Sequence, residues 1–382
     1  MPDMYKARNT NFYDVVIVGG GPAGGATAIS IRQKSDLKVL LVEEGAFEKT
    51  RIGETVPPDI RPLLNQLGLW DRFASDNHVP SKGSMSVWGD EKPGFNDFIV
   101  NPHGSGWHLN RPRFDDMFLS AMVRAGVEVR LGTKFQHISL PEKEGNTLLS
   151  LKDGETETTV ETRMVIDASG QHAVVAKKLG TRRKNLDRLL YVMGQFNLPD
   201  SINFPDQTLL EAVEEGWWYG AKLPDNQVLV ALATDGNVAK EKKLSEPYHW
   251  LMALTQSRII APLLSNAHFL AESFRLKTSL SFMMEPCATA HCFCVGDAAA
   301  AYDPIVSMGI YKGIKSGLEC ADEVLAYLDG DTEAITRYNE SRSRDFKEYE
   351  TVRTYLYGLE NRWENAPFWR NRSMVEKTFV SK

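Results

Sequence analysis

One short stretch restricts the fold more than any other. A β-branched run, Val15-Val16-Ile17-Val18, stops abruptly at Gly19-Gly20-Gly21-Pro22-Ala23-Gly24. After Asp14 the run has no polar alternation, which suits a central parallel strand covered on both faces. Glycines 19, 21 and 24 fit G-x-G-x-x-G, and the residues from Gly25 onward read as a helix with small side chains toward the strand. The three glycines allow, in turn, a tight turn, close approach of backbone to a pyrophosphate, and close helix-to-sheet contact. Gly19, Gly21, Pro22, Ala23 and Gly24 are therefore candidate phosphate contacts. A second strand, residues 38–42, ends in Glu43, 19 positions beyond Gly24 (43 minus 24). An acid there accepts from the hydroxyls of an adenosine ribose and repels a 2′-phosphate, although a solvated strand end is the alternative. The combination predicts a Rossmann-like dinucleotide site in an α/β fold.

NAD and FAD share this opening, so the choice rests on three later segments. Residues 165–167 form a strand ending at Ala168-Ser169-Gly170, the pattern of a chain returning to the nucleotide sheet. Another strand, residues 292–295, ends in Gly296-Asp297, whose carboxylate suits a ribityl hydroxyl. Asp303-Pro304 and Gly309 open a helix over residues 310–328, whose N-terminus directs a positive dipole end at N1 and O2 of a reduced flavin. These features select FAD as the cofactor.

Together the segments resemble the FAD-binding aromatic hydroxylase superfamily, and within it the branch of the flavin-dependent tryptophan halogenases. The match runs through Arg51-Ile-Gly53-Glu54-Thr-Val-Pro57-Pro58, Trp107-His108-Leu-Asn-Arg111-Pro-Arg-Phe114-Asp115, Gly296-Asp297 and Arg362-Trp363…Pro367-Phe368-Trp369. The resemblance implies that Arg51 and Arg111 lie along the FAD, where a guanidinium suits phosphate or ribose oxygens; surface arginines are the alternative. It also implies a p-hydroxybenzoate hydroxylase-like fold, a Rossmann-like FAD-binding domain with an inserted β-rich substrate domain and C-terminal helices. On that plan residues 1–75, 105–182 and 280–328 bind FAD, 76–104 and 183–279 form the substrate domain, and 329–382 form a helical segment. Candidate strands of the insertion are 83–88, 191–197, 217–223 and 227–234. No second G-x-G-x-x-G marks an NAD(P)H domain, so an external flavin reductant is expected.

Tryptophan halogenases carry W-x-W-x-I-P and a lysine beyond the Gly-Glu segment. Here Gly216-Trp217-Trp218-Tyr219-Gly220-Ala221-Lys222-Leu223-Pro224 breaks the motif, because Tyr219 and Ala221 stand at its tryptophan positions. Lys82, 28 residues after Glu54 (82 minus 54), suits the place of the lysine, or is a solvated loop residue. A second resemblance fits more of the chain: the LodB-like and GoxB-like flavoproteins that mature quinoprotein amino-acid oxidases. It rests on Gly53-Glu54-x-x-Pro57-Pro58, on Pro80-Ser81…Trp88-Gly89, and on Trp217-Trp218-Tyr219 followed by Leu223-Pro224. The implied function is oxygenation of a tryptophan side chain in the precursor of a quinoprotein amino-acid oxidase during cysteine tryptophylquinone biogenesis. Halogenation of an indole or pyrrole, isoprenoid double-bond reduction and a non-catalytic binding role are the alternatives. Trp88, Trp107, Trp217, Trp218 and Tyr219 are candidate pocket walls or core packing. Lys82, His108 and Glu54 are the catalytic candidates, His108 because imidazole titrates near neutrality.

Net charge of −6 and a pI near 5.8 give no electrostatic footprint for nucleic acid. Residues 1–13 lack the apolar core of a secretory signal and no run is long enough to span a membrane, so a cytoplasmic protein is expected. Cys292 and Cys294 read as small buried hydrophobes on one strand face; with no second ligand pair at zinc spacing, no metal is expected. The aromatic tail, residues 355–369, is expected to close the core, with a docking face as the alternative.

Overall fold

The structure is a computed structural model, described over residues 11–45, 53–143 and 145–373. Its first sheet forms around the β-branched opening. Asn11–Val18 lies between Val39–Glu43 and Thr156–Asp167, both parallel to it. Glu128–Leu131 adds to the outer side of Val39–Glu43, also parallel. Thr156–Asp167 is long enough to serve two partners. Its first half pairs antiparallel with Thr147–Asp153, and its last three residues pair in parallel with Cys292–Cys294. Five chain segments therefore end at one edge of the sheet, at Val18, Glu43, Leu131, Asp167 and Cys294. Val15, Val16, Ile17, Leu40 and Leu41 are all fully buried, as apolar strands covered by helices on both faces must be.

The second sheet has eight strands and joins distant parts of the chain. Gly83–Val87 pairs in parallel with Thr208–Val213, bringing residues before and after the returning nucleotide segment into one sheet. Its two longest members, Arg182–Asn197 and His268–Glu285, pair with each other along most of their length. Phe282, Met283 and Met284, near one end of that pair, pack into the nucleotide-domain core, whereas Val192 and Phe196, toward the other, pack into a core of the second sheet. These strands therefore connect the core of the first sheet with that of the second, and His268–Glu285 is continuous across residue 280.

Both faces of the second sheet are covered. Helix Pro247–Leu254 lies on one, with Trp250 buried. On the other lies the C-terminal segment, where Tyr357, Phe368 and Trp369 are buried against Trp217 and Tyr191. Most of the aromatic tail thus closes a core, while Tyr355 stays exposed. Among the described residues no helix is long and apolar enough to cross a membrane. All four cysteines are free and buried.

Candidate active site

The glycine turn is built by backbone crowding. Gly19 has a φ of +114°, and a Cβ there would lie 2.3 Å from the Ala168 carbonyl oxygen. A Cβ at Gly24 would lie 2.1 Å from the Gly19 carbonyl oxygen and 2.9 Å from the Ala168 Cβ. No other residue type fits either place without moving the sheet. The helix that follows, Pro22–Lys34, has no side-chain cap and no acid in its first turn, so its leading N–H groups face the turn as an anion site. The Glu43 carboxylate reaches back to this turn, accepting from the Gly20 N–H at 2.7 Å and the Gly45 N–H at 2.9 Å.

From Gly21 a cavity of about 790 Å³ runs between the two sheets. Gly21, Pro22, Ala23, Gly170, Gln171, Gly296 and Asp297 line it, as do Gly53, Glu54, Arg111, Pro304, Gly309 and Ile310. Helix Gly309–Leu328 opens onto it without a side-chain cap or an early acid. This helix packs tightly on the first: a Cβ at Gly317 would lie 2.5 Å from the Ala23 carbonyl oxygen. The preceding loop is pinned through Asp303, which is fully buried. Asp303 accepts from the Ile305 N–H at 3.0 Å and the Tyr357 hydroxyl at 2.7 Å, and Arg353 lies 3.5 Å away. Desolvation raises the pKa of Asp303, against the pull of Arg353. Asp297 is raised for the same cause, opposed by nearby Lys277 and a hydrogen bond from Gln171.

The far side of the cavity is one face of the second sheet. Strand pairing aligns Arg275 with Met193, Ala231 and Tyr219 in one row, and Lys277 with Tyr191, Ala233 and Trp217 in the next. The Tyr219 hydroxyl meets the Thr55 hydroxyl at 2.5 Å, joining this sheet to the Gly53-Glu54 segment. Burial raises the Tyr219 pKa well above its ordinary value, with the adjacent Glu54 adding to the effect. Arg111 is buried, donates to the Gly53 carbonyl at 2.6 Å and pairs with Asp115 at 3.1 Å.

The structure separates the sequence candidates. Trp217 and Tyr219 line the cavity, but Trp218 does not. Side chains alternate along a strand, so Trp218 points to the opposite face and packs 5.7 Å from the Trp250 ring. Trp88 also falls outside the wall, donating from its indole to the Leu356 carbonyl and packing on Trp369. Trp107 packs instead on Phe73, 5.5 Å between ring centres. His108 is buried with its Nε2 2.9 Å from the Thr208 hydroxyl, and desolvation pushes its pKa down to about 4. It is neutral at pH 7 and does not reach the cavity. Lys82 projects into solvent and pairs with Asp206 at 3.0 Å. Glu54 does line the cavity. Arg51 lies outside the described residues.

Sequence reasoning missed Gln171, Tyr191, Arg275 and Lys277, all on the cavity wall. The Tyr191 hydroxyl and the Arg275 Nε are buried without a hydrogen-bond partner among the described residues. Buried polar atoms of this kind call for a bound group. Two uncapped helix starts and crowded glycines along one cavity fit an extended dinucleotide. A family model described as FAD binding domain matches residues 12–351. The chain belongs to the FAD binding domain family. It is an FAD-dependent oxidoreductase with a p-hydroxybenzoate hydroxylase-like fold. LodB of Marinomonas mediterranea, named as an FAD-dependent oxidoreductase, is 29% identical over 361 residues, covering 94% of this chain and 96% of that protein. Among solved structures, the flavin-dependent halogenase CmlS superposes with a TM-score of 0.85 at 24% identity, over 98% of this chain and 71% of its own. The peptidyl tryptophan dihydroxylase QhpG, essential for tryptophylquinone cofactor biogenesis, gives 0.71 at 20%, over 94% and 78%.

Proposed function

We propose that this flavoprotein oxygenates a tryptophan side chain in a partner precursor protein during tryptophylquinone cofactor biogenesis. The observation that carries the reading is an accessible cleft with an aromatic floor. Trp217 and Tyr219 line it from beneath, and Lys277 of the same wall is exposed, so one end of the cleft opens to solvent, as a side chain borne by a macromolecule would require. The relation to LodB over nearly the whole of both chains, and the fold shared with QhpG, support it.

FAD, reduced by an external donor, supplies the activation of O₂. The chain's own work is positional. Gly19, Gly21, Pro22, Ala23 and Gly24 would hold the pyrophosphate, Glu43 the adenosine ribose, Asp297 the ribityl chain, and Pro304 and Gly309 the ring. Arg111, through the Gly53 carbonyl and Asp115, and Glu54, through the Gly53 N–H, brace the Gly53-Glu54 segment that would flank the ring. Tyr219, kept protonated by burial and fixed by Thr55, would offer a donor or acceptor to the substrate, and the buried Trp217 and Met193 would help exclude water.

Halogenation is the second reading, favoured by the superposition on CmlS. Against it stands Lys82, which is 67% exposed and held by Asp206 outside the cleft. Lys82→Ala separates the two. Loss of a chloride-dependent product would establish halogenation, and retained oxygenation of tryptophan would remove it.

A further inference from the structure

The floor of the cleft has two ends of different chemistry. Trp217 and Tyr219 form the aromatic end, and Arg275 and Lys277 form the cationic end, three strand intervals away in the same rows. Arg275, Lys277 and Ser279 occupy alternate positions of His268–Glu285, so all three face the cavity. Neither cation has an ion-pair partner within 4.0 Å among the described residues. The carboxylates nearby are otherwise engaged: Asp303 with Arg353 and Tyr357, Asp297 with Gln171, and Glu54 with the Gly53 N–H and Tyr219. The Arg275 Nε is buried and unsatisfied, and Lys277 is pushed below the ordinary lysine range by desolvation. Asp297 and Glu54 are the nearest carboxylates to Lys277, yet neither makes an ion pair with it, so two adjacent cations, one with a buried unpartnered Nε, face the same cleft and suit an incoming anion.

We propose that Arg275 and Lys277 form a carboxylate-recognition subsite for the substrate, and that the carboxylate belongs to an acidic residue of the same polypeptide that presents the tryptophan. The second part rests on the proposed function. Three intervals of about 4.8 Å separate the two ends by about 14 Å. An extended peptide advances about 3.3 Å per residue, so the acid stands roughly four residues from the tryptophan. The carboxylate of a free indole acid lies closer to its own ring.

The test is equilibrium binding to the oxidised FAD-loaded protein, followed by the flavin absorbance, with no turnover required. Two probe pairs are used: the blocked pentapeptide Trp-Gly-Gly-Gly-Glu against its Gln twin, and indole-3-acetate against 3-methylindole. The wild type should prefer the Glu peptide roughly ten-fold or more, the scale of one charge-assisted hydrogen bond. Arg275→Met and Lys277→Met should each erase most of that preference, and Lys277→Arg should keep it. A preference confined to indole-3-acetate, and lost in the same variants, supports the carboxylate site and overturns its polypeptide occupant. The proposal is overturned if neither pair is discriminated, if the Met variants keep the preference, or if they change only FAD affinity. Because binding alone is read, failure to oxygenate tryptophan would leave this result standing.

Discussion

Trp217 and Trp218 are neighbours in sequence and opposites in surroundings. Trp217 lies on the cleft face, its indole N–H 3.1 Å from the Tyr357 hydroxyl and its ring against Tyr191, in the same row of the sheet as Lys277. Trp218 lies on the other face, packed with Trp250 among Val192, Val228, Val230 and Leu232. One face carries buried polar atoms without hydrogen-bond partners among the described residues, and the other is satisfied by its own apolar contacts. The sheet therefore separates stability from recognition. Changes on the closed face should act on folding, and changes on the cleft face on binding.

The largest effect is expected from Trp218→Ala. Truncating this fully packed ring should cost about 3–5 kcal/mol in chemical denaturation, with FAD affinity of the folded fraction unchanged. A variant of normal stability with impaired flavin binding would break the division between faces. Next comes a pH effect from two buried histidines, His78 and His108, both pushed down to about 4 by desolvation. Their folded pKa lies below the unfolded value near 6.5, so the unfolded chain binds more protons between those limits. Stability should be complete above about pH 6.5 and fall as pH drops toward about 4, by up to about 1.4 kcal/mol per pH unit for each histidine. Replacing His108 by Gln should flatten its part of that slope in denaturation curves taken across the range; an unchanged slope would show that it is not the source.

Tyr219→Phe is a smaller change on the cleft face. Losing the hydrogen bond to Thr55 should reduce stability by about 0.5–1.5 kcal/mol and alter the visible spectrum of bound flavin. A silent spectrum would place the hydroxyl out of contact with the cofactor environment. Lys82→Ala should be the weakest, under about 1 kcal/mol and without effect on FAD retention, because it removes only an exposed ion pair. A marked loss of flavin from that variant would bring Lys82 back to the site.

Much of this plan was legible in the sequence because its signals are local. Strands at residues 217–223 and 227–234 correspond to Gly216–Leu223 and Gln227–Thr234, and the expected helix over 310–328 to Gly309–Leu328. Crowded glycines announce themselves in the same way, since Gly19 and Gly24 have no room for a side chain. The cleft wall was harder. A Trp-Trp-Tyr run names three aromatics but only alternation says that the middle one turns away. His268–Glu285 is absent from the expected strands, although Arg275 and Lys277 at alternate positions were the available signal of a strand with one polar face. Which water that face meets, bulk or cleft, depends on strands over 40 residues away in the chain.

Oxygenation of a partner's tryptophan can be read without reconstituting the reductant, by co-producing the protein with the precursor of a quinoprotein amino-acid oxidase and analysing the precursor by peptide mass spectrometry. One or two oxygen atoms should be added to a single tryptophan, only when the flavoprotein and O₂ are both present. An unmodified tryptophan in the presence of FAD-loaded, reducible protein would contradict that function, and a halogen on the ring would replace it.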